Sequence, residues 1–220
     1  MKKKGKADQT DTTQKISFLV LGESTIGKSC LIERYVNKTF KENYIATIGM
    51  DIRPKRLDIN DIDVLLTISD TAGQERFRSL TRSIYKGANG ILLGFDLTKP
   101  KTFEQVNYWI DQIEENKSKD YPVSLVLFGN KCDMEDEIKV NPEDIEKVQQ
   151  KYNLKYFKTS AKDGTNVQNI FEYLAKLVLK SRGLFENLDI DEISVSEKEE
   201  KKIDVKDKIK QKKKRKKKCC

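Results

Sequence analysis

The stretch from Gly22 to Ser29, Gly-Glu-Ser-Thr-Ile-Gly-Lys-Ser, constrains the fold of this chain more than any other feature. It fits the pattern G-x-x-x-x-G-K-[ST] and follows an apolar run at 16–21, so it predicts a strand, a glycine-bearing loop and a helix. In such a loop backbone N–H groups turn toward phosphate oxygens, Lys28 reaches the β and γ phosphates, and Ser29 offers its hydroxyl to Mg²⁺. The sequence therefore predicts a nucleoside triphosphate site, with these further loop residues beside the phosphates: Glu23, Ser24, Thr25, Ile26, Gly27 and Cys30.

Apolar runs of strand length recur along the chain at 16–21, 62–68, 90–95 and 123–129. Runs this continuous predict strands buried on both faces, as in a parallel sheet covered by helices. Apolar residues at helical spacing separate the runs. The alternation predicts an α/β fold of the doubly wound, P-loop NTPase type over residues 15–182, with a six-stranded, mostly parallel sheet.

Short local signals place several element ends. Asn60-Asp61 predicts a hairpin turn and hence one antiparallel edge strand, and Asn141-Pro142 predicts a capped helix start. Thr102-x-x-Gln105 and Thr165-x-x-Gln168 fit the capping-box pattern and predict two further helix starts.

The net charge of +8 belongs to the C-terminal end of the chain. From Lys206 onward the sequence holds ten of the 43 basic residues and one of the 35 acidic residues, so the rest is about neutral. We expect a flexible basic extension at 1–14 and a disordered tail at 183–220, because neither segment carries a sustained apolar face.

Composition argues against several classes of protein. The chain has no histidine, which excludes Ser-His and Cys-His nucleophilic pairs. Its four cysteines show no C-x-x-C spacing, which argues against a zinc site or a disulfide framework and favours a reduced, cytosolic setting. No apolar run reaches the ~18 residues of a membrane span, and the polar start predicts no secretory signal.

Polar motifs follow three of the predicted strands, at the sheet edge where doubly wound folds bind ligands. They are Asp70-Thr-Ala-Gly73-Gln74, Asn130-Lys131-Cys132-Asp133 and Thr159-Ser160-Ala161-Lys162. Asp70 could hold Mg²⁺ through water, and the Gly73 N–H could meet a γ-phosphate.

With these motifs in this order, residues 14–182 resemble a Ras-superfamily small GTPase, specifically one of the Rab family. The resemblance implies that Asp133 accepts two hydrogen bonds from guanine, which favours GTP over ATP. It also implies that Asn130 contacts the base and ties loops together, and that the stem of Lys131 lies against the ring. The Ala161 N–H would meet the guanine oxygen, with these neighbours also in the site: Ser160 and Lys162.

The same resemblance assigns the first switch. Phe40 matches the aromatic that covers the base edge, and the segment from Tyr44 to Gly49 contains Thr47, which joins Ser29 and Asp70 in the Mg²⁺ shell when the γ-phosphate is present. Loss of that phosphate would release the segments around Thr47 and Gly73, giving a two-state switch.

Hydrolysis would depend on Gln74, which matches the water-positioning glutamine of the family, together with Lys28. Residues 38–49 contain no arginine that could act in cis, so we expect slow intrinsic turnover, accelerated by the arginine of an activating protein.

The chain departs from the Rab pattern at four positions. Ile52, Ser69 and Ile84 stand where Rabs usually present aromatic residues to effectors, so the effectors do not transfer by resemblance. Thr25 stands where glycine is common, and a β-branched residue is strained there if its φ is positive.

Seven consecutive basic residues, Lys212 to Lys218, directly precede a terminal Cys219-Cys220. The cysteine pair resembles the double geranylgeranylation site of Rabs, and the lysines suit an anionic membrane surface. A nuclear-import or RNA-binding run is the competing interpretation, but no aromatic residue interleaves with the lysines to stack bases.

The sequence thus predicts a monomeric, lipid-anchored GTP/GDP switch of vesicle traffic. It would sit on the cytosolic face of an internal or plasma membrane, keep a cytosolic pool and bind no nucleic acid. By resemblance its partners would be an exchange factor, an activating protein, a GDP-dissociation inhibitor and effectors. The alternatives are a non-hydrolysing GTP-binding membrane scaffold and a soluble nuclear GTPase.

Overall fold

The fold is built around a strand with two apolar faces, as seen in a computed structural model that describes residues 13–40, 50–71 and 81–197. In β1 (Gln14–Leu21), Ile16 and Phe18 join a core cluster on one side of the sheet, while Leu19 and Leu21 join a second cluster on the other. Side chains alternate along a strand, so a strand that is apolar at successive positions needs cover on both faces.

Six further strands follow β1: β2 (Met50–Ile59), β3 (Ile62–Thr71), β4 (Gly90–Asp96), β5 (Ser124–Asn130), β6 (Lys155–Lys158) and β7 (Val195–Glu197). The sheet runs in the order β6-β5-β4-β1-β3-β2-β7. The five strands β1, β3, β4, β5 and β6 are parallel, β2 is antiparallel to β3, and β7 is antiparallel to β2. The six predicted strands and their mostly parallel arrangement are confirmed.

Helices cover both faces of the sheet. They are α1 (Lys28–Asn37), α2 (Thr81–Gly87), α3 (Pro100–Glu104), α4 (Val106–Asn116), α5 (Pro142–Tyr152) and α6 (Val167–Ser181), with 3₁₀ turns at Glu135–Glu137 and Ile190–Glu192. Buried residues of α1 and α6, such as Leu31 and Phe171, belong to the first core cluster, and those of α4 and α5, such as Ile110 and Ile145, belong to the second.

Two of the local signals are confirmed. Asn60 and Asp61 both have positive φ, 52° and 66°, as a two-residue hairpin turn between β2 and β3 requires. The Asn141 side chain accepts a hydrogen bond from the Glu143 N–H at 3.1 Å at the start of α5. The helix start predicted from Asn141-Pro142 is therefore the observed start of α5.

Both predicted capping boxes are wrong. Helix α6 begins at Val167 with Asn166 at its N-cap, so Thr165 lies outside the helix. Thr102 lies inside α3, where its hydroxyl donates to the Lys99 carbonyl at 2.7 Å and accepts from the Asp96 N–H at 2.9 Å. The threonine hydroxyl serves the turn that leaves β4, which competes with helix capping.

Residues 183–197, the C-terminal strap, extend the packed structure beyond the predicted boundary at 182. Phe185 and Ile193 are buried in the first core cluster, and β7 pairs with the end of β2 in the register Leu57↔Glu197. The sheet therefore has a seventh strand among the described residues, and the prediction of a disordered tail is wrong for 183–197. Its apolar residues are scattered among acidic and polar ones, so no periodic pattern reveals them.

Several predictions fall outside the described residues. These are the N-terminal extension up to residue 12, the segments 41–49 and 72–80, and the tail from 198 onward. Within the part of the chain that the structure describes, no helix is both long and apolar enough to cross a membrane.

Candidate functional site

The loop between β1 and α1 carries two glycines that no other residue could replace. Gly22 has φ 130° and Gly27 has φ 97°, both in the region that side chains disfavour. A Cβ on Gly27 would lie 2.4 Å from Asn130 Nδ2, and one on Gly22 would lie 2.2 Å from the Gly94 carbonyl oxygen. The loop backbone therefore packs closely against the ends of β4 and β5.

Thr25 has φ 65°, the left-handed conformation in which a β-branched side chain is strained. The expected strain is thus confirmed. Thr25 is exposed, so no burial of its side chain offsets this cost.

Lys28 is 5% exposed and points back into the loop. Its Nζ donates hydrogen bonds to the carbonyl oxygens of Gly22 and Glu23, each at 2.8 Å. The ammonium charge is therefore held inside the curve of the loop, at the N-terminus of α1. A helix N-terminus and a buried ammonium group together favour an anion at this place.

Ser29 and Asp70 meet beside the same loop. Asp70 lies at the end of β3 and is 6% exposed, and the Ser29 side chain hydrogen-bonds to its carboxylate. Burial raises the pKa of Asp70, against the opposing effects of the Ser29 hydrogen bond and the Lys28 charge. The buried Asp70 Oδ1 has no hydrogen-bond partner within the described part of the chain.

These oxygen donors fit Mg²⁺. A buried carboxylate oxygen without a partner next to a hydroxyl is the hard donor set that Mg²⁺ prefers, and Mg²⁺ commonly takes only one or two protein ligands plus phosphate. The described residues contain no cluster of three or more His, Cys, Asp or Glu that could hold a metal by themselves.

Asn130, at the end of β5, joins three loops. Its Nδ2 donates to the Ile26 carbonyl at 2.7 Å, and its Oδ1 accepts from the Ala161 N–H at 3.2 Å and the Thr159 hydroxyl at 3.4 Å. The side chain is 1% exposed, so these bonds lie in a water-poor environment where loss of a partner is costly. Asn130 therefore fixes the phosphate loop and the 159–162 loop to the sheet.

Asp133 is oriented by Ser160, whose hydroxyl donates to Asp133 Oδ1 at 2.7 Å. The Ser160 hydroxyl in turn accepts from the backbone N–H groups of Lys162 and Asp163 at 3.1 and 3.2 Å. This chain of bonds places the carboxylate at a pocket of about 400 Å³. The pocket is lined by Thr25, Gly27, Cys30, Phe40, Asn130, Lys131, Asp133, Met134, Ala161 and Lys162.

Three residues at the site were not predicted from sequence. Arg34 of α1 donates to the carbonyl oxygens of Ala161, at 2.9 Å, and Lys162, which holds the 159–162 loop. Asp96, fully buried at the end of β4, lies 2.6 Å from Lys131 Nζ, so the lysine stem lines the pocket while its amine is paired. Trp109 of α4 donates to Glu23 of the phosphate loop. Arg34 and Trp109 belong to no local motif, and their contacts with the site span 127 and 86 residues of sequence.

Cys30 and Cys132 lie within motifs of the site, but their surroundings do not favour a reactive thiol. Cys132 is buried and Cys30 is half-buried, and burial raises the pKa of both thiols. A raised pKa leaves less thiolate and hence lower reactivity.

The remaining predicted residues divide into two groups. Ile52 is 52% exposed and faces Ser69 across β2 and β3, whereas Ile84 packs partly against the second core cluster. The switch, catalytic and lipidation residues lie outside the described segments: Tyr44, Thr47, Gly73, Gln74, Cys219 and Cys220.

A second cavity, of about 550 Å³, lies between α5 and the edge of the sheet and is lined by Leu97, Val140, Ile145 and Tyr156 among others. It contains none of the predicted site residues, so we place the candidate site in the smaller pocket, where the motif residues converge.

Comparison with known proteins gives a consistent answer. Residues 17–180 match the model of the Ras family. The chain is 43% identical to the Ras-related protein Rab-13 of Bos taurus over 167 residues, 76% of this chain and 81% of that protein. It is 42% identical to the Ras-related protein Rab-8B of Pongo abelii over 162 residues, 74% of this chain and 77% of that protein.

Proposed function

This chain belongs to the Ras family as a Rab-like small GTPase, and from that premise we propose that its 400 Å³ pocket binds the base of GDP and GTP. It is an enzyme that hydrolyses GTP, and it acts in membrane traffic.

The observation that carries the proposal is the position of Asn130 between the phosphate loop and the 159–162 loop, at the wall of the pocket. Because Asn130 fixes both loops, phosphate and base would bind to one rigid frame. The Asp133 carboxylate would accept from the two N–H donors on the guanine edge, a donor pair that adenine lacks. The stem of Lys131 and the ring of Phe40 would contact the base.

Ser29 and Asp70 are the described residues that would hold Mg²⁺, with Thr47 joining them in the GTP state. When bound, Mg²⁺ would neutralise phosphate charge and orient the β and γ phosphates. Lys28 would place its buried ammonium group against the same phosphates.

Gln74 would orient the attacking water, and the Gly73 N–H would contact the γ-phosphate. Since residues 38–49 contain no arginine, transition-state charge would be stabilised fully only when an activating protein supplies one. Slow hydrolysis then acts as a timer, and exchange factors and effectors would read the two states of the switch segments.

The tail would anchor the protein. Prenyl groups on Cys219 and Cys220 supply two apolar chains, which together hold a protein stably where one is marginal, and Lys212 to Lys218 would add attraction to an anionic cytosolic leaflet. A GDP-dissociation inhibitor would maintain the cytosolic pool. Replacing both cysteines by Ser should leave the protein cytosolic, and continued pelleting with membranes would contradict this anchor.

The base assignment is tested with Asp133→Asn. The carboxamide cannot accept both guanine N–H bonds, so GDP affinity should fall at least 100-fold, measured by displacement of a fluorescent GDP. Asp136→Asn is the matched control, because Asp136 is an exposed carboxylate on the adjacent 3₁₀ turn and should bind GDP normally. Equal affinity for the two variants would refute the assignment.

The strained Thr25 in the phosphate loop is compatible with either a hydrolysing switch or a non-hydrolysing scaffold. A measurement of GTP turnover distinguishes the two. Purified protein should contain guanine nucleotide and hydrolyse GTP slowly in a single-turnover assay, and Gln74→Leu should abolish that hydrolysis. Bound nucleotide without turnover would favour the scaffold.

The Mg²⁺ assignment predicts that Mg²⁺ raises the melting temperature of GDP-loaded protein, and that Asp70→Asn removes this increase while Asp136→Asn keeps it.

A further inference from the structure

The only tryptophan of the chain contacts the phosphate loop. Trp109 Nε1 donates a hydrogen bond to Glu23 Oε1 at 3.0 Å, across 86 residues of sequence. We propose that Trp109 is a positioning residue that holds the Glu23 carboxylate away from the nucleotide phosphates and thereby slows nucleotide release. The inference rests on the proposed nucleotide site.

Glu23 is an unfavourable neighbour for phosphate. It follows Gly22 in the loop that would surround the phosphates, and a carboxylate near a di- or triphosphate is repelled. The Glu23 backbone faces the site, because its carbonyl accepts from Lys28 Nζ at 2.8 Å. Its side chain turns instead toward α4, where the indole N–H accounts for its position.

Trp109 is well placed to hold this carboxylate. It lies on α4, whose residues Val106, Ile110 and Ile113 are buried in the second core cluster. The indole packs partly against that cluster and meets the Tyr108 ring edge-on at 5.8 Å. A group fixed by a packed helix keeps its hydrogen bond in place better than one on a loop.

The phosphate loop is consequently held near both of its ends by distant side chains. Asn130 bonds the Ile26 carbonyl at the end that enters α1, and Trp109 bonds the Glu23 side chain at the end that leaves β1. Without the indole hydrogen bond, only backbone contacts would hold the end of the loop that leaves β1. The Glu23 carboxylate could then swing toward the phosphates.

The simplest competing explanation is that Trp109 only fills space at the edge of the core. The two explanations differ in their dependence on the charge of Glu23. A packing role predicts that Trp109→Phe acts independently of residue 23, whereas the proposed role predicts that removing the charge from Glu23 rescues that variant.

The test uses the full chain as wild type, Trp109→Phe, Glu23→Gln and the double variant, each loaded with N-methylanthraniloyl-GDP and chased with excess GDP at fixed Mg²⁺. Trp109→Phe keeps an aromatic ring but lacks the N–H, and release should be about tenfold faster, as expected for loss of a hydrogen bond to a charged group. Glu23→Gln removes the repulsive charge and serves as the reference background. Adding Trp109→Phe to that background should change the release rate by less than about twofold.

The outcomes separate this inference from the proposed site. A wild-type protein that binds no guanine nucleotide would refute the proposed site itself. Wild-type binding with unchanged release from Trp109→Phe would overturn the positioning role alone. Faster release that Glu23→Gln does not rescue would also overturn it, because the effect would then come from packing.

Discussion

Replacing Ile193 by Ala tests whether the C-terminal strap is part of the folded domain. Ile193 is 2% exposed and belongs to the first core cluster, although it lies eleven positions beyond the predicted end of the domain at 182. Truncating a buried Ile to Ala costs about 2–5 kcal/mol in free energy of unfolding. We expect a loss near 2 kcal/mol, since a short strap can detach locally and so limit the cost.

The matched control is Leu184→Ala. Leu184 lies in the same strap but is 41% exposed, so its truncation should change the free energy of unfolding by less than about 0.5 kcal/mol. Urea unfolding would give both stabilities. Limited proteolysis would report strap detachment as faster cleavage within 183–197 of the Ile193→Ala variant.

One result would refute the reasoning. If Ile193→Ala and Leu184→Ala unfold at the same urea concentration and are cleaved within the strap at the same rate, Ile193 contributes no core packing.

Three further predictions concern the site. Thr25→Gly should raise the free energy of unfolding by about 1 kcal/mol, because it relieves a side chain held at φ 65°, and a lower urea midpoint would contradict this. Asn130→Ala should lower stability by about 3 kcal/mol, because it leaves the Ile26 carbonyl and the Ala161 N–H without this partner; a loss below about 1 kcal/mol in the same assay would show that the three-loop contact is unimportant. Asp70→Asn should stabilise the nucleotide-free protein in EDTA, and this gain should grow as pH rises. Because the pKa of Asp70 is raised in the folded state, ionisation of its carboxyl group destabilises the folded wild-type protein as pH rises through that pKa. Urea midpoints that differ equally at pH 4 and pH 7 would contradict that origin.

Much of the site could be predicted because each motif is contiguous in sequence. The phosphate loop needs Gly22 and Gly27 for backbone conformations that other residues disfavour, so their spacing carries the information. The motifs at Asn130 and Ser160 follow strands, and parallel strands bring their ends to one edge of the sheet. The hairpin at Asn60-Asp61 is likewise a local preference.

The capping-box prediction at Thr102 failed because its hydroxyl has a second possible partner. A threonine hydroxyl can bond either to a helix N-terminus or to a nearby turn, and the sequence pattern does not distinguish the two. Thr102 bonds to the turn because β4 delivers the Asp96 N–H to it. The Asp96 N–H competes with the helix N-terminus for this hydroxyl, and its position depends on where β4 ends.

The amino-acid sequence by itself determined the α/β class, the order of the strands and helices, and the residue types around the pocket, because these follow from spacing over a few residues. Only the tertiary structure decided that the strap adds a strand to β2, that Asp96 pairs with Lys131, and that Trp109 reaches Glu23. These contacts join residues 35 to 140 positions apart, and a contact between distant residues leaves no periodic pattern in one sequence. Its energy comes from groups that meet only when the whole sheet has formed.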